Sequence, residues 1–339
     1  MSRFKALALL LCIAYASVAY SQTPVESDDV IRVESDLTNL LLTATDKQRR
    51  FITSLKAEDL RVMEDGTAQQ IFTFQRETDR PLAIALLIDV SASEERSLPQ
   101  EKAAARLFIE RVLKSEKDQA AIIPFADTPF LEQPLTREVL SIYRALERLE
   151  VALPAYLGSG RPLKGFPTGP GMPAPPDPGA TAIWESLHLT AQQVLDPVRD
   201  QRRRAIILLT DGWDTAIESR ITRAHAIDTV IASEAVVYVI GIGDEKQDGV
   251  NKGTLRDIAE RTGGRAFFPK KEQDMNAAFS EIEQELRTQY LLAYSSSNKN
   301  RDGSYRQVTI EITNPALIKD KVQLRHRPGY FAKRVKDLR

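Results

Sequence analysis

The chain has 339 residues, of which 42% are apolar and 27% charged, with a formal net charge of −1. That length allows two domains or one large domain with extensions, and the composition is ordinary for a globular protein. A chain so near neutrality is not a broadly basic nucleic-acid binder, and no nucleic-acid partner is expected.

Arg3 and Lys5 precede an apolar core, ALALLLCIA, and Ala19-Tyr20-Ser21 before Gln22 has the small-x-small form of a cleavage site. Residues 1–21 therefore read as a signal peptide, and the protein as exported, periplasmic or secreted. The apolar run is too short to remain as a membrane anchor. Leu9-Leu10-Leu11 before Cys12 also lacks the small residue that a lipoprotein signal needs there. Cys12 is the only cysteine. Cleavage leaves a chain with no disulfide, no thiolate metal site and no cysteine nucleophile. No later run has the apolar length to cross a bilayer, so no transmembrane anchor is expected after cleavage.

Residues 22–80 are expected to be β-rich. Val30 to Val33 and residues 37–44 suit strands, although Leu40-Leu41-Leu42 is also compatible with a helix. In DLRVMEDGTAQQIFTF, Asp65-Gly66 predicts a tight hairpin turn between two apolar-bearing runs. From Pro81 the pattern changes to strands alternating with helices. LAIALLID, QAAIIPF, AIILLTDG and AVVYVIGIGD are short apolar runs, the mark of strands buried on both faces. Helical spacing marks residues 98–114, 137–149, 182–195, 219–234, 254–261 and 274–287, and RAFFP reads as a further strand. Residues 153–180 interrupt this order: they hold eight of the 18 prolines and six of the 16 glycines, too many for a regular element. This segment reads as an insertion or as a recognition loop. The tail returns to strands in QYLLAYSSS, YRQVTIEIT and KVQLRHRPGYFA. The basic end, RHRPGYFAKRVKDLR, reads as a strand with a solvated terminus.

The repeated strand–helix order predicts an α/β fold with a doubly wound, mostly parallel, Rossmann-like sheet over residues 81–287. Residues 22–80 and 288–339 carry too few strands to fold separately, so they are expected to pair into one flanking β-sandwich-like domain.

Asp89, Ser91 and Ser93 end the first central strand in IDVSAS, and Asp211 ends another in AIILLTD. Gly179-Ala180-Thr181 opens a helix between them. In open α/β sheets, ligands bind beyond the carboxyl ends of the strands. Two carboxylates and three hydroxyls there form a hard oxygen set, suited to Mg²⁺, with Mn²⁺ or Ca²⁺ of the same class, and not to zinc or copper. The plainer reading is that Asp89 and Ser91 merely cap the next helix, which leaves Thr181 and Asp211 without a part. Asp214, in DGWDT, reads as a solvated loop residue, with a supporting role behind the ligands as the alternative.

D-x-S-x-S after an apolar strand, a later G-x-T opening a helix, and a strand ending T-D-G resemble the von Willebrand factor A (VWA) domain. The resemblance covers residues 81–287, including VVYVIGIGD, LRDIAERTGG and RAFFP. The flanks, EDLRVMEDG and YLLAY…YRQVTIEI…RPGYFA, are similar to a bacterial exported group of VWFA-related proteins. Many family members have a short loop where this chain has residues 153–180. The resemblance implies a metal-ion-dependent adhesion site (MIDAS) of Asp89, Ser91, Ser93, Thr181 and Asp211. It also implies a protein partner that presents an Asp or Glu carboxylate to the ion.

Rival chemistries fit less well. A dehalogenase-type phosphatase needs a second acid where Ser91 stands. A serine hydrolase needs a nucleophile elbow, and no G-x-S-x-G is present. His188 and His225, in helices, and His326, near the tail, read as surface or packed residues and not as a base. Gly241-Ile242-Gly243 lacks the third glycine of a dinucleotide fingerprint, and no phosphate-loop motif occurs. The expectation is a non-enzymatic, metal-dependent binding module. A metal-independent envelope assembly component and a metal-dependent hydrolase are the alternatives.

Overall fold

A computed structural model describes residues 37–76, 80–113, 116–152, 180–199, 201–216, 221–243 and 249–334. The expected signal peptide, Val30 to Val33 and residues 153–179 of the Pro/Gly-rich segment lie outside the described residues.

The first strand is β1 (Leu37–Thr45), with Leu40 and Leu42 fully covered, so the ambiguous leucine run is extended. Then come β2 (Leu60–Glu64), β3 (Thr67–Gln69) and β4 (Ile71–Arg76). The β2–β3 hairpin turns at Asp65-Gly66. The central part runs β5 (Leu82–Asp89), α1 (Leu98–Val112), β6 (Gln119–Phe125), β7 (Gln133–Thr136) and α2 (Val139–Glu147). It continues with α3 (Ile183–Leu189), β8 (Arg203–Thr210), α4 (Arg223–Ala232), β9 (Val236–Gly241), α5 (Lys252–Thr262), β10 (Ala266–Phe267) and α6 (Glu272–Thr288). The tail adds β11 (Tyr290–Ser295), β12 (Tyr305–Ile312), α7 (Pro315–Lys319), β13 (Gln323–His326) and β14 (Gly329–Phe331).

The central strands form one sheet in the order β10-β9-β8-β5-β6-β7, parallel except for β7 at the edge. Its inner strands feed two cores because side chains alternate across a strand. Ile84, Leu86, Ile207 and Tyr238 pack with α1, α2 and α6 on one face, where the Phe108 and Phe279 rings stand 4.9 Å apart. Ala85, Leu87, Ile206 and Val237 pack with α3, α4 and α5 on the other. Periodicity therefore decides which helix covers which face. Several elements differ from the sequence reading: α7 was not anticipated, and KVQLRHRPGYFA is two strands, β13 and β14, in different sheets. β7 was not anticipated: Pro134 interrupts a four-residue run, and proline is tolerated there because the strand is an edge. The helix expected over 182–195 is α-helical to Leu189 and then becomes a π-turn over Thr190–Leu195.

The N- and C-terminal strands mix in two antiparallel sheets, β13-β1-β11-β4 and β14-β12-β2-β3. They share one core that includes Leu40, Leu42, Val62, Tyr290, Leu292, Val308 and Ile310. Arginines tie them to the central sheet. Arg203, at the start of β8, donates to the Leu286 carbonyl and to Gln289, and Arg327 donates to the carbonyls of Ile231 and Asn39. These contacts gather where β8 and β9 begin, opposite the edge where β5 and β8 end. All described residues belong to one compact unit, residues 36–339. Among them no helix is long and apolar enough to cross a membrane.

The close of α5 sets a steric limit. Gly264 passes so near β9 that an added Cβ would stand 2.0 Å from the Val237 carbonyl oxygen. That neighbour is backbone and cannot rotate away. Gly264→Ala is expected to destabilise the fold by about 1–3 kcal/mol, measured by urea denaturation.

Candidate metal site

β5 is buried along its whole length and ends in Asp89, which has no exposed surface. One oxygen of Asp89 accepts from the Ser91 amide at 3.0 Å, and the other accepts from the Thr210 hydroxyl at 2.6 Å. Thr210 is the last residue of the neighbouring strand β8, so this bond fastens two parallel strand ends together. The Ser91 and Ser93 hydroxyls lie 3.1 Å apart. Ser91 is buried and Ser93 exposed, so the pair runs from the interior to the surface. The capping explanation for Asp89 and Ser91 does not hold. Neither side chain caps a helix, and α1 begins only at Leu98, after Ser97.

Asp211 follows β8 directly and is also buried. It accepts from the Trp213 amide at 3.0 Å, across a turn in which Gly212 adopts φ +86°. That left-handed conformation favours glycine and bends the chain back at once after Asp211. Thr181 is buried, and the chain on both sides of it is pinned to this edge. Its amide donates to the Thr215 hydroxyl at 2.8 Å, its carbonyl accepts from the Thr215 amide at 2.9 Å, and the Ala182 amide donates to the Ala126 carbonyl, just past β6, at 2.7 Å. Ala152, before the Pro/Gly-rich segment, donates its amide to the Val90 carbonyl at 2.7 Å. The described residues flanking that segment on both sides therefore meet the same sheet edge.

One carboxylate oxygen each from Asp89, Asp211 and Glu94 lie within 4.8 Å of one another. Glu94 was not singled out in the sequence. Burial pushes the Asp89 carboxyl up to about 6, and the negative charge of Asp211 adds to the shift against the hydrogen bonds from Ser91 and Thr210. Burial, and then the charges of Glu101 and Asp89, raise Glu94 far above the ordinary carboxylate range. Glu101 is raised as well, mainly by burial. Like-charged buried carboxylates at this spacing are costly unless protons or a cation neutralise them. A Glu94 oxygen with no hydrogen-bond partner, among carboxylate and hydroxyl donors, fits a hard divalent cation.

A von Willebrand factor type A domain model matches residues 84–213, and a second model of the same description matches residues 173–285. This chain is a von Willebrand factor type A domain protein. Among curated proteins, the chain is similar to calcium-activated chloride channel regulator 1 of Bos taurus, 27% identical over 140 residues. That match takes in 41% of this chain and only 12% of the bovine protein. Among solved structures, a von Willebrand factor type A protein from Catenulispora acidiphila is 14% identical with a TM-score of 0.48, over 90% of this chain and 75% of that one. BatB from Bacteroides thetaiotaomicron is 19% identical with a TM-score of 0.43, over 61% of this chain and 99% of that one. The mussel byssus proximal thread matrix protein 1, with a zinc-occupied MIDAS motif, is 18% identical with a TM-score of 0.47, over 67% of this chain and 50% of that one. At these values the likenesses say nothing about function.

Two further residues stand at the VWA edge: Trp213, which was missed, and Asp214, which the sequence offered as a solvated loop residue. Asp214 is half-buried and accepts from the Trp184 amide at 3.2 Å, so it serves the start of α3. Trp213 is 43% exposed beside Asp211, its indole N–H donating to the Gly249 carbonyl at 3.3 Å. The histidines are engaged elsewhere. The rings of His188 and His225 pack together at 5.0 Å, and His326 meets the Arg327 carbonyl at 2.7 Å.

Proposed function

We propose that the protein is an exported, metal-dependent protein-binding module and not an enzyme. The observation that carries this reading is the meeting of the buried Asp89 and Asp211 carboxylates at the carboxyl edge of the parallel sheet. Asp89, Ser91, Ser93, Thr181 and Asp211 would hold a hard divalent cation directly or through water. These five residues alone suit Mg²⁺, with Mn²⁺ and Ca²⁺ of the same class. The bound cation supplies a positive charge at the surface that a partner's Asp or Glu carboxylate can ligate. Thr210 and the Ser91 amide hold Asp89 in place, and the turn at Gly212 holds Asp211.

One carboxylate–metal contact gives little specificity, so the rim must supply the rest. Trp213 is a large exposed aromatic next to a metal-site residue, the residue type most enriched among interface hot spots. The test is affinity capture from a bacterial envelope extract, with Mg²⁺ and with EDTA. Wild type is expected to retain a partner only with the ion, and Asp89→Ala to retain none. Trp213→Ala should bind the ion normally yet lose about 2 kcal/mol of partner affinity. Capture indifferent both to EDTA and to Asp89→Ala would refute the proposal.

A further inference from the structure

Glu94 is not one of the five residues of the adhesion motif, yet the fold drives its carboxylate into the same place. The short 3₁₀ turn Ala92–Glu94 directs its last residue inward. Glu94 is fully buried, whereas Ser93 and Glu95 on either side are exposed. One of its oxygens lies within 4.8 Å of an oxygen of Asp89 and of an oxygen of Asp211. Ser97 donates its hydroxyl to Oε2, while Oε1 is buried with no hydrogen-bond partner. Native interiors rarely leave such an atom unsatisfied, and an ion is among the ordinary explanations. Glu101, in the first turn of α1, is also fully buried, so a fourth carboxyl lies close to the first three.

We propose that Glu94 is a further ligand of the divalent cation, a third carboxylate that makes the site prefer Ca²⁺ over Mg²⁺. This inference rests on the cation-site reading above. Ligand number and charge carry it. Mg²⁺ is usually bound by one or two carboxylates and keeps several waters, whereas Ca²⁺ takes about six to eight oxygens in flexible geometry. Asp89, Asp211 and Glu94, with the hydroxyls of Ser91, Ser93 and Thr181, would form a cage of about six protein oxygens, which leaves a position of Ca²⁺ open to a partner's carboxylate. Such a cage suits the larger ion, which sheds water readily, and penalises the smaller one.

The test is calorimetric titration of Ca²⁺ and of Mg²⁺ into the full chain, into Glu94→Gln and into Asp89→Ala. The melting temperature of each is also measured in EDTA. Wild type is expected to bind Ca²⁺ more tightly than Mg²⁺. Glu94→Gln should lose Ca²⁺ affinity by about tenfold or more, with a smaller loss for Mg²⁺. It should melt in EDTA no lower than wild type, because a buried carboxylate without a full set of partners has been removed. Wild-type preference for Mg²⁺, unchanged Ca²⁺ affinity in Glu94→Gln, or an equal loss of both ions with a lower melting temperature in EDTA would overturn the role of Glu94. Asp89→Ala should bind neither ion. If it still binds one, the cation-site reading itself fails.

Discussion

Replacing Asp89 with alanine is expected to abolish the stabilisation of the protein by divalent cations while leaving its fold intact. A ligand that binds only the folded state adds about 2.7 kcal/mol at a hundred times its dissociation constant, which for a chain of this size raises Tm by several degrees. Wild type should show that rise on adding Ca²⁺ or Mg²⁺ after EDTA treatment, and Asp89→Ala should show none. The fold survives because Asp89 contributes little to it without the ion. Its carboxylate is fully buried, and burial raises its pKa to about 6, so its charged form is disfavoured there. Alanine removes that cost and forfeits the bonds from Ser91 and Thr210. The net change in EDTA should stay within about 1–2 kcal/mol. Differential scanning fluorimetry with and without the ion separates the two effects.

Glu64→Ala should have the largest effect on stability, in a part of the molecule remote in sequence from the metal-site residues. Glu64 closes β2 and is buried in the core shared by the two antiparallel sheets. Its Oε2 accepts from Tyr294 at 2.7 Å and from Tyr330 at 2.9 Å, and its Oε1 accepts from Ser296. The Arg306 guanidinium stands 3.4 Å away with almost no exposed surface. One carboxylate thus links β2 from the N-terminal segment to β11, β12 and β14 from the C-terminal segment. Removing it leaves a buried guanidinium without its counter-charge and deprives two tyrosine hydroxyls of their acceptor. Breaking a buried pair from one side costs about 3–5 kcal/mol, read as a shift in the urea midpoint. Arg306 also donates to the Asn298 and Asn300 carbonyls, so Arg306→Ala should be comparably damaging. Glu64→Gln, which keeps an acceptor for the tyrosines, should cost less.

Much of the fold was legible because burial on both faces of a strand leaves a plain mark. LAIALLID and AIILLTD hold no polar residue before their ends, and both became central strands of the parallel sheet. The hairpin at Asp65-Gly66 and the alternation in YRQVTIEI were equally direct, and β2 and β12 pair as neighbours. β7 was hidden because four residues containing a proline carry no period. Within the site, the oxygen-bearing side chains at strand ends announce themselves, since Asp and Ser are out of place after an apolar run. Glu94 does not. In SASEERS it is indistinguishable from Glu95, and only the 3₁₀ turn decides that one carboxylate goes in and the other out. Thr210 was silent for the opposite reason: threonine is at home in a strand, so its bond to Asp89 appears only when β5 and β8 are placed side by side.

The most direct test of the central claim is an anomalous difference map from crystals of the full chain soaked in Mn²⁺. The account predicts a peak at the carboxyl edge of the sheet, bounded by Asp89, Ser91, Ser93, Thr181 and Asp211, and its absence in Asp89→Ala crystals. A map with no peak among these residues, or with a peak that persists there in the variant, would contradict it.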